Sequence, residues 1–216
     1  MSDEELELRI LSVDPGEEIA GALKLTIRTS RGEIPVILHT PDSTTRAVVC
    51  ISGAIGGFDG PAKLYERLGL ELPGKGITVA RMNYRAPNDF NECLLDTLAA
   101  LAFLKATGHQ RAAIIGHSFG GAVAINAGTI SPIATTVIAI SSQLAGAHMV
   151  AELKPKPLLL IHGTADAILS HQSSELIYER AEEPKRLILL EGADHRLNGK
   201  GDELFALVEE WLATRL

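Results

Sequence analysis

Ala112-Ala113-Ile114-Ile115-Gly116-His117-Ser118-Phe119-Gly120-Gly121-Ala122 joins an unbroken apolar run to a G-x-S-x-G pattern and then to a string of small residues. An apolar run without polar alternation reads as a strand covered on both faces, and residues 119–128 read as a helix. Ser118 therefore falls on a strand-to-helix junction. In so sharp a turn a side chain at 116 or 120 would collide with neighbouring backbone, which accounts for the two glycines. Such a turn lifts a weak nucleophile into the open at a helix N-terminus.

Outward from this junction the same grammar repeats. Ala47-Val48-Val49-Cys50-Ile51, Ile77-Thr78-Val79-Ala80, Val137-Ile138-Ala139-Ile140, Leu158-Leu159-Leu160-Ile161 and Leu187-Ile188-Leu189-Leu190 read as further parallel strands. Helical patterns at 62–72, 90–105, 171–181 and 203–212 fall between or after them, the clearest carrying Leu94, Leu95, Leu98, Leu101, Ala102 and Leu104 on one stripe. Before residue 46 the chain alternates instead. Leu8 to Val13, Leu23 to Ile27 and Ile34 to Leu38 read as antiparallel hairpin strands, with turns expected at Pro15-Gly16 and Ser30-Arg31-Gly32. Together these predict an α/β fold, a three-layer sandwich whose mostly parallel, doubly wound sheet carries an antiparallel N-terminal hairpin, with right-handed crossovers.

Composition agrees. The 216 residues, 46% hydrophobic and 22% charged, fit one domain spanning 1–216 with a core on both faces of a sheet. Collagenous, disordered and disulfide-scaffold classes are excluded. A net charge of −7 without a basic cluster argues against nucleic acid as a partner. Met1-Ser2-Asp3-Glu4-Glu5 is acidic where a secretory leader is basic, and no apolar stretch approaches the roughly 18 residues of a membrane span, so a soluble, cytoplasmic protein is expected. Cys50 and Cys93 read as buried thiols.

In open parallel sheets ligands bind beyond the carboxyl ends of the strands. Beyond the 158–161 run lies His162-Gly163-Thr164-Ala165-Asp166, and beyond the 187–190 run lies Glu191-Gly192-Ala193-Asp194-His195. Asp is an ordinary turn residue and a lone loop His is commonly solvated. Ser118, Asp166 and His195 in one row, each beyond a different strand, carry more weight together. Asp194 reads as loop-ordering, because adjacent side chains in a turn diverge. His39, His109, His148, His162 and His171 show no paired spacing, so no metal is expected. Gly53, Gly56 and Gly57 do not make a dinucleotide-binding G-x-G-x-x-G.

These motifs resemble the α/β-hydrolases over essentially the whole chain: 116–120 as nucleophile elbow, 162–166 as acid loop and 192–195 as histidine loop. The resemblance implies Ser118 as nucleophile, His195 as general base and Asp166 as the carboxylate that orients it. It implies oxyanion donors in the N–H groups of Phe119 and Ala54, with Ile55 the alternate, since Ser52-Gly53 stands where many relatives have His-Gly. Only 143–156 separates two strands where many relatives insert a lid, so no lid domain is expected. Ala54, Ile55, Phe58, His117, Leu144, Met149, Ile168 and Leu197 are expected to line the pocket. Asn83, Tyr84 and Arg85 read either as a brace for the oxyanion loop or as a surface turn. The expected function is a serine hydrolase, esterase-like or dienelactone-hydrolase-like, cleaving a small carboxylic ester or thioester through an acyl-enzyme. No cofactor is implied, the partner is a small acyl substrate, and the protein is a monomer or homodimer. Amide or carbon-carbon bond hydrolysis by the same residues, and a noncatalytic ligand-binding member of the fold, are the alternatives.

Overall fold

The computed structural model describes residues 7–216, so the acidic stretch 1–5 lies outside the described residues. Its elements are β1 (Ile10–Ile19), β2 (Ala22–Thr29), β3 (Gly32–His39), β4 (Arg46–Ile51), α1 (Leu64–Glu71), β5 (Thr78–Met82), α2 (Phe90–Ala106), β6 (Arg111–His117), α3 (Phe119–Ile130), β7 (Ala134–Ile140), β8 (Leu158–Gly163), α4 (Gln172–Arg180), β9 (Lys185–Leu190) and α5 (Gly201–Arg215). The strands form one sheet in the order β1-β2-β3-β5-β4-β6-β7-β8-β9. From β5 to β9 neighbouring strands run parallel, while β1, β2 and β3 are antiparallel to one another and β3 is antiparallel to β5.

Apolar runs without alternation are explained by a core on each face. In β4, Ala47, Val49 and Ile51 join the cluster under α2 and α3, whereas Val48 and Cys50 join the one under α1 and α5. In β6 the split is Ala112 and Ile114 against Ala113 and Ile115. Each large side chain so buried stabilises the fold by roughly 1.5–3 kcal/mol. The α3 helix is buried from Phe119 to Gly128, so it needs small residues: a Cβ at Gly128 would overlap the Val137 side chain. On the other face Trp211 of α5 donates its Nε1–H to Thr136 Oγ1 of β7 at 2.8 Å. Tyr65 of α1 donates its hydroxyl to the Ile51 carbonyl at 2.9 Å.

One turn differs from its sequence reading. Pro15-Gly16 lies inside β1, and the hairpin turns instead at Ala20-Gly21, whose φ values of 51° and 76° suit a tight two-residue loop. A proline ends a strand only where its missing N–H is needed, and β1 is the sheet's edge. The register shift between Pro15 and Glu18 absorbs the irregularity. Between β7 and β8, residues 141–157 form turns and one short 3-10 helix, Val150–Leu153, packed on α3.

Candidate active site

Ser118 follows the last residue of β6 and precedes the first of α3, with φ 58° and ψ −120°. A non-glycine residue in that region stores of order 1–3 kcal/mol, so the surroundings must impose it. The Ser118 N–H donates to the Ile140 carbonyl at 2.8 Å, and its carbonyl accepts from Gly121 N–H at 3.0 Å. A Cβ at Gly116 would overlap the Gly120 carbonyl, one at Gly120 would overlap the Ser52 carbonyl, and one at Gly121 would meet Ser142 Oγ at 2.5 Å. The glycines thus let the elbow close against β4 and β7.

Asp166 sits beyond β8 and His195 beyond β9, in two loops stitched together. Thr164 N–H donates to the Leu190 carbonyl and Ala165 N–H to the Ala193 carbonyl, both at 3.0 Å. Gly192 N–H donates to Thr164 Oγ1 at 2.9 Å. The approach is close enough that a Cβ at Gly163 would overlap the Ala193 carbonyl. This stitching brings His195 Nδ1 to 2.7 Å from Asp166 Oδ2, while His195 Nε2 lies 3.1 Å from Ser118 Oγ.

The protonation pattern follows from chemistry. The Asp166 side chain is fully buried, and burial raises its pKa. The N–H groups of Leu169 and Ile168, each 2.8 Å from Oδ1, and the His195 imidazole outweigh that cost and hold the carboxyl below its ordinary value. An ionised Asp166 only accepts, so His195 carries its proton on Nδ1 and offers the bare Nε2 to the Ser118 hydroxyl. Asp194 turns away: its carboxylate accepts from Arg196 N–H, Asn198 N–H and Asn198 Nδ2, ordering its own loop.

Two further histidines support the arrangement. His117 donates Nε2–H to the His195 carbonyl at 3.0 Å, and the two rings lie 4.9 Å apart. Burial pushes its imidazole down to about 4. His162, to which the sequence pattern assigns no role, contacts Asp166 Oδ2 at 3.0 Å. Its position four residues before Asp166 is a signal, but histidine spacing is diagnostic chiefly for metals. Among the described residues no cluster of three or more His, Cys, Asp or Glu could hold a metal ion.

Ser118 and His195 open onto a cavity of about 390 Å³ walled by the loop Ser52 to Gly60. Of the residues expected to line it, Ala54, Ile55, Phe58, His117 and Ile168 do, joined by Ser52, Asp59 and Arg196. Three do not. Leu197 is fully buried in the core under α1 and α5, because its N–H closes a turn on the Asp194 carbonyl. Leu144 and Met149 lie on the segment that folds back onto α3, where Leu144 packs against the core and the Met149 carbonyl accepts from Thr129 Oγ1. Phe119 opens α3, so its N–H is one of the donors a helix leaves unpaired, and Ala54 borders the Ser118 cavity. The loop is braced: Asn83 Oδ1 accepts from Gly57 N–H at 2.9 Å, and Arg81 bonds the Phe58 carbonyl and the Asp59 carboxylate. Arg85, in turn, is bound to buried Asp96 and to Glu92. Of the 83–85 stretch, Asn83 thus braces the 52–60 loop, whereas Arg85 is tied to α2 instead.

The fold has many counterparts among solved structures. The chain is similar to dienelactone hydrolase from Anabaena variabilis, with a TM-score of 0.78 and 18% identity over 94% of this chain and 99% of that one. The fold is that of the α/β-hydrolases. Other α/β-hydrolases it resembles are a serine hydrolase homologue from Coxiella burnetii (TM-score 0.76, 17% identity, 91% and 100% covered) and a serine hydrolase without a lid from Xanthomonas campestris (TM-score 0.72, 19% identity, 92% and 97% covered). No family model matches the chain. A 56-residue stretch is 45% identical to the uncharacterized protein YfhR of Escherichia coli, covering 26% of this chain and about a fifth, 20%, of that protein's length. Among the described residues no helix is long and apolar enough to cross a membrane.

Proposed function

We propose that the protein is a serine hydrolase that cleaves a small carboxylic ester or thioester through an acyl-enzyme. One observation carries the reading: the unbroken chain from Ser118 Oγ through His195 to Asp166, with links of 3.1 and 2.7 Å. Similarity to solved hydrolases favours turnover over binding alone.

In this mechanism the Ser118 oxygen attacks the acyl carbon as its proton passes to His195 Nε2. Asp166 stabilises the resulting imidazolium without taking the proton itself. The carbonyl oxygen becomes an oxyanion, held by the N–H groups of Phe119 and Ala54, which cost no reorganisation because the elbow and the braced loop already fix them. Collapse expels the alcohol or thiol, which takes the proton from His195. A water then repeats the sequence on the acyl-enzyme, releasing the acid and restoring Ser118. The two buried free thiols, Cys50 and Cys93, fit a reducing, cytoplasmic setting.

A fluorophosphonate probe should label the protein once, at Ser118, and an ester and thioester panel should show turnover. Ser118→Ala should abolish labelling and lower turnover by roughly 10⁴-fold or more while leaving the circular dichroism spectrum unchanged. Labelling of that variant at the wild-type rate would falsify the assignment of the nucleophile.

A further inference from the structure

Asp166 carries more than the contact to His195. We propose that His162 is a positioning residue for this carboxylate: a neutral imidazole whose Nε2–H holds Asp166 Oδ2 in line with His195, its tautomer fixed by Ser174. The proposal rests on the hydrolase reading for its consequence and on geometry alone for its substance.

His162 is the penultimate residue of β8, just before Gly163, and its side chain is fully buried. Its Nε2 lies 3.0 Å from Asp166 Oδ2 and 3.0 Å from the Leu169 carbonyl. Both are acceptors only, so the proton must be on Nε2, shared between them. Its Nδ1 lies 2.7 Å from Ser174 Oγ, a buried hydroxyl on α4 that can donate to the bare nitrogen. Burial lowers the imidazole's proton affinity, in keeping with a neutral ring. The same residue, Leu169, donates its N–H to Asp166 Oδ1 and accepts from His162, closing a ring of hydrogen bonds around the carboxyl group.

A carboxylate has about four lone-pair directions. Here each has a donor: Ile168 and Leu169 N–H on Oδ1, His195 Nδ1 and His162 Nε2 on Oδ2. The group cannot rotate without breaking two of them. Oδ2, moreover, divides its charge between two imidazoles, so His162 moderates how strongly Asp166 stabilises a proton on His195. Other charged or titratable groups stand outside this ring. His117 lies against His195 with the rings tilted by 47° and bonds its carbonyl, Arg196 lines the cavity, and Asp194 is engaged by Arg196 N–H and Asn198. From α4, Ser174 reaches the imidazole.

The test compares two substitutions by pH profile. His162→Phe keeps the ring's bulk and removes the donor. It should lower kcat roughly 10-fold with KM near wild type, and move the acidic limb of kcat/KM upward by about half to one pH unit, because Oδ2 then serves His195 alone. His162→Gln can return an N–H near the Nε2 position and should recover most of both. Ser174→Ala, which keeps the imidazole but frees its tautomer, should fall between wild type and His162→Phe, and it carries the comparison if the latter does not fold. A wild-type profile in every folded variant, or equal impairment of the Phe and Gln variants, overturns the proposal. The ¹⁵N spectrum of His162 at neutral pH gives a readout without turnover: Nε2 protonated and Nδ1 bare supports the proposal, and any other state overturns it. If Ser118 takes no probe and no ester is cleaved, the hydrolase reading fails while this spectrum still decides the positioning claim.

Discussion

Two aspartates compete for the role of orienting His195, and their hydrogen bonds separate them. Asp166→Asn would present an amide N–H to Nδ1 and favour the wrong tautomer, so kcat should fall by roughly 10³–10⁴-fold. Asp194→Asn disturbs only its own loop and should cost a few-fold; steady-state rates on one soluble ester decide between them, and the reverse order would overturn the assignment. This distinction is legible in the amino-acid sequence, because side chains of adjacent residues diverge. The role of His162 is not, since it depends on α4 bringing Ser174 to the other nitrogen. His117 makes a prediction about pH and stability. Its folded-state value of about 4 lies below the ordinary 6.5, so the unfolded chain binds the extra proton as pH falls through that window. Stability is therefore whole above about pH 6.5 and is lost as pH drops toward 4. His117→Gln can keep a donor for the His195 carbonyl and does not titrate, so its thermal midpoint should fall less across this window, by an amount of order 2 kcal/mol or roughly 4–8 °C. His39 and His162 are shifted the same way and leave a residual slope in both proteins.

At the scale of elements, the site depends on how closely loops approach. Gly163 sits where any side chain would overlap the Ala193 carbonyl, in the contact that stitches the acid loop to the histidine loop. Gly163→Ala should push His195 away from Ser118, lowering kcat/KM by roughly 100-fold, the scale expected of an ångström of misplacement, while the sheet still forms. An activity assay beside circular dichroism checks both halves. The elbow is readable because glycine spacing is a local signal: Gly116 and Gly120 are needed by the same turn they flank. The segment 141–157 is not, because whether Leu144 and Met149 face the cavity depends on which distant surface the segment lies against, and here it is α3. Pro15 misleads for a related reason, since an edge strand conceals the donor that proline lacks.

At the scale of the molecule, the short path between β7 and β8 leaves the cavity walled by loop side chains and bordered by exposed Ile55 and Ile168. On the proposed function, substrate would then reach Ser118 directly from water. Rates on short nitrophenyl esters should rise smoothly with concentration through the solubility limit and exceed those on emulsified long-chain esters; a jump at the onset of emulsion would refute this. The placement of β9 has a further consequence. Among the described residues it is the last strand of the sheet, paired only with β8 and partly exposed along its length, yet the loop beyond it carries His195, the base of the proposed mechanism. Fraying of that edge separates His195 from Ser118 while the central strands stay paired, so in rising urea the probe-labelling rate should fail before the far-ultraviolet signal does. The same order governs synthesis. Ser118 leaves the ribosome 77 residues ahead of His195, so under the proposed mechanism a nascent chain would stay chemically silent until its last strand docks.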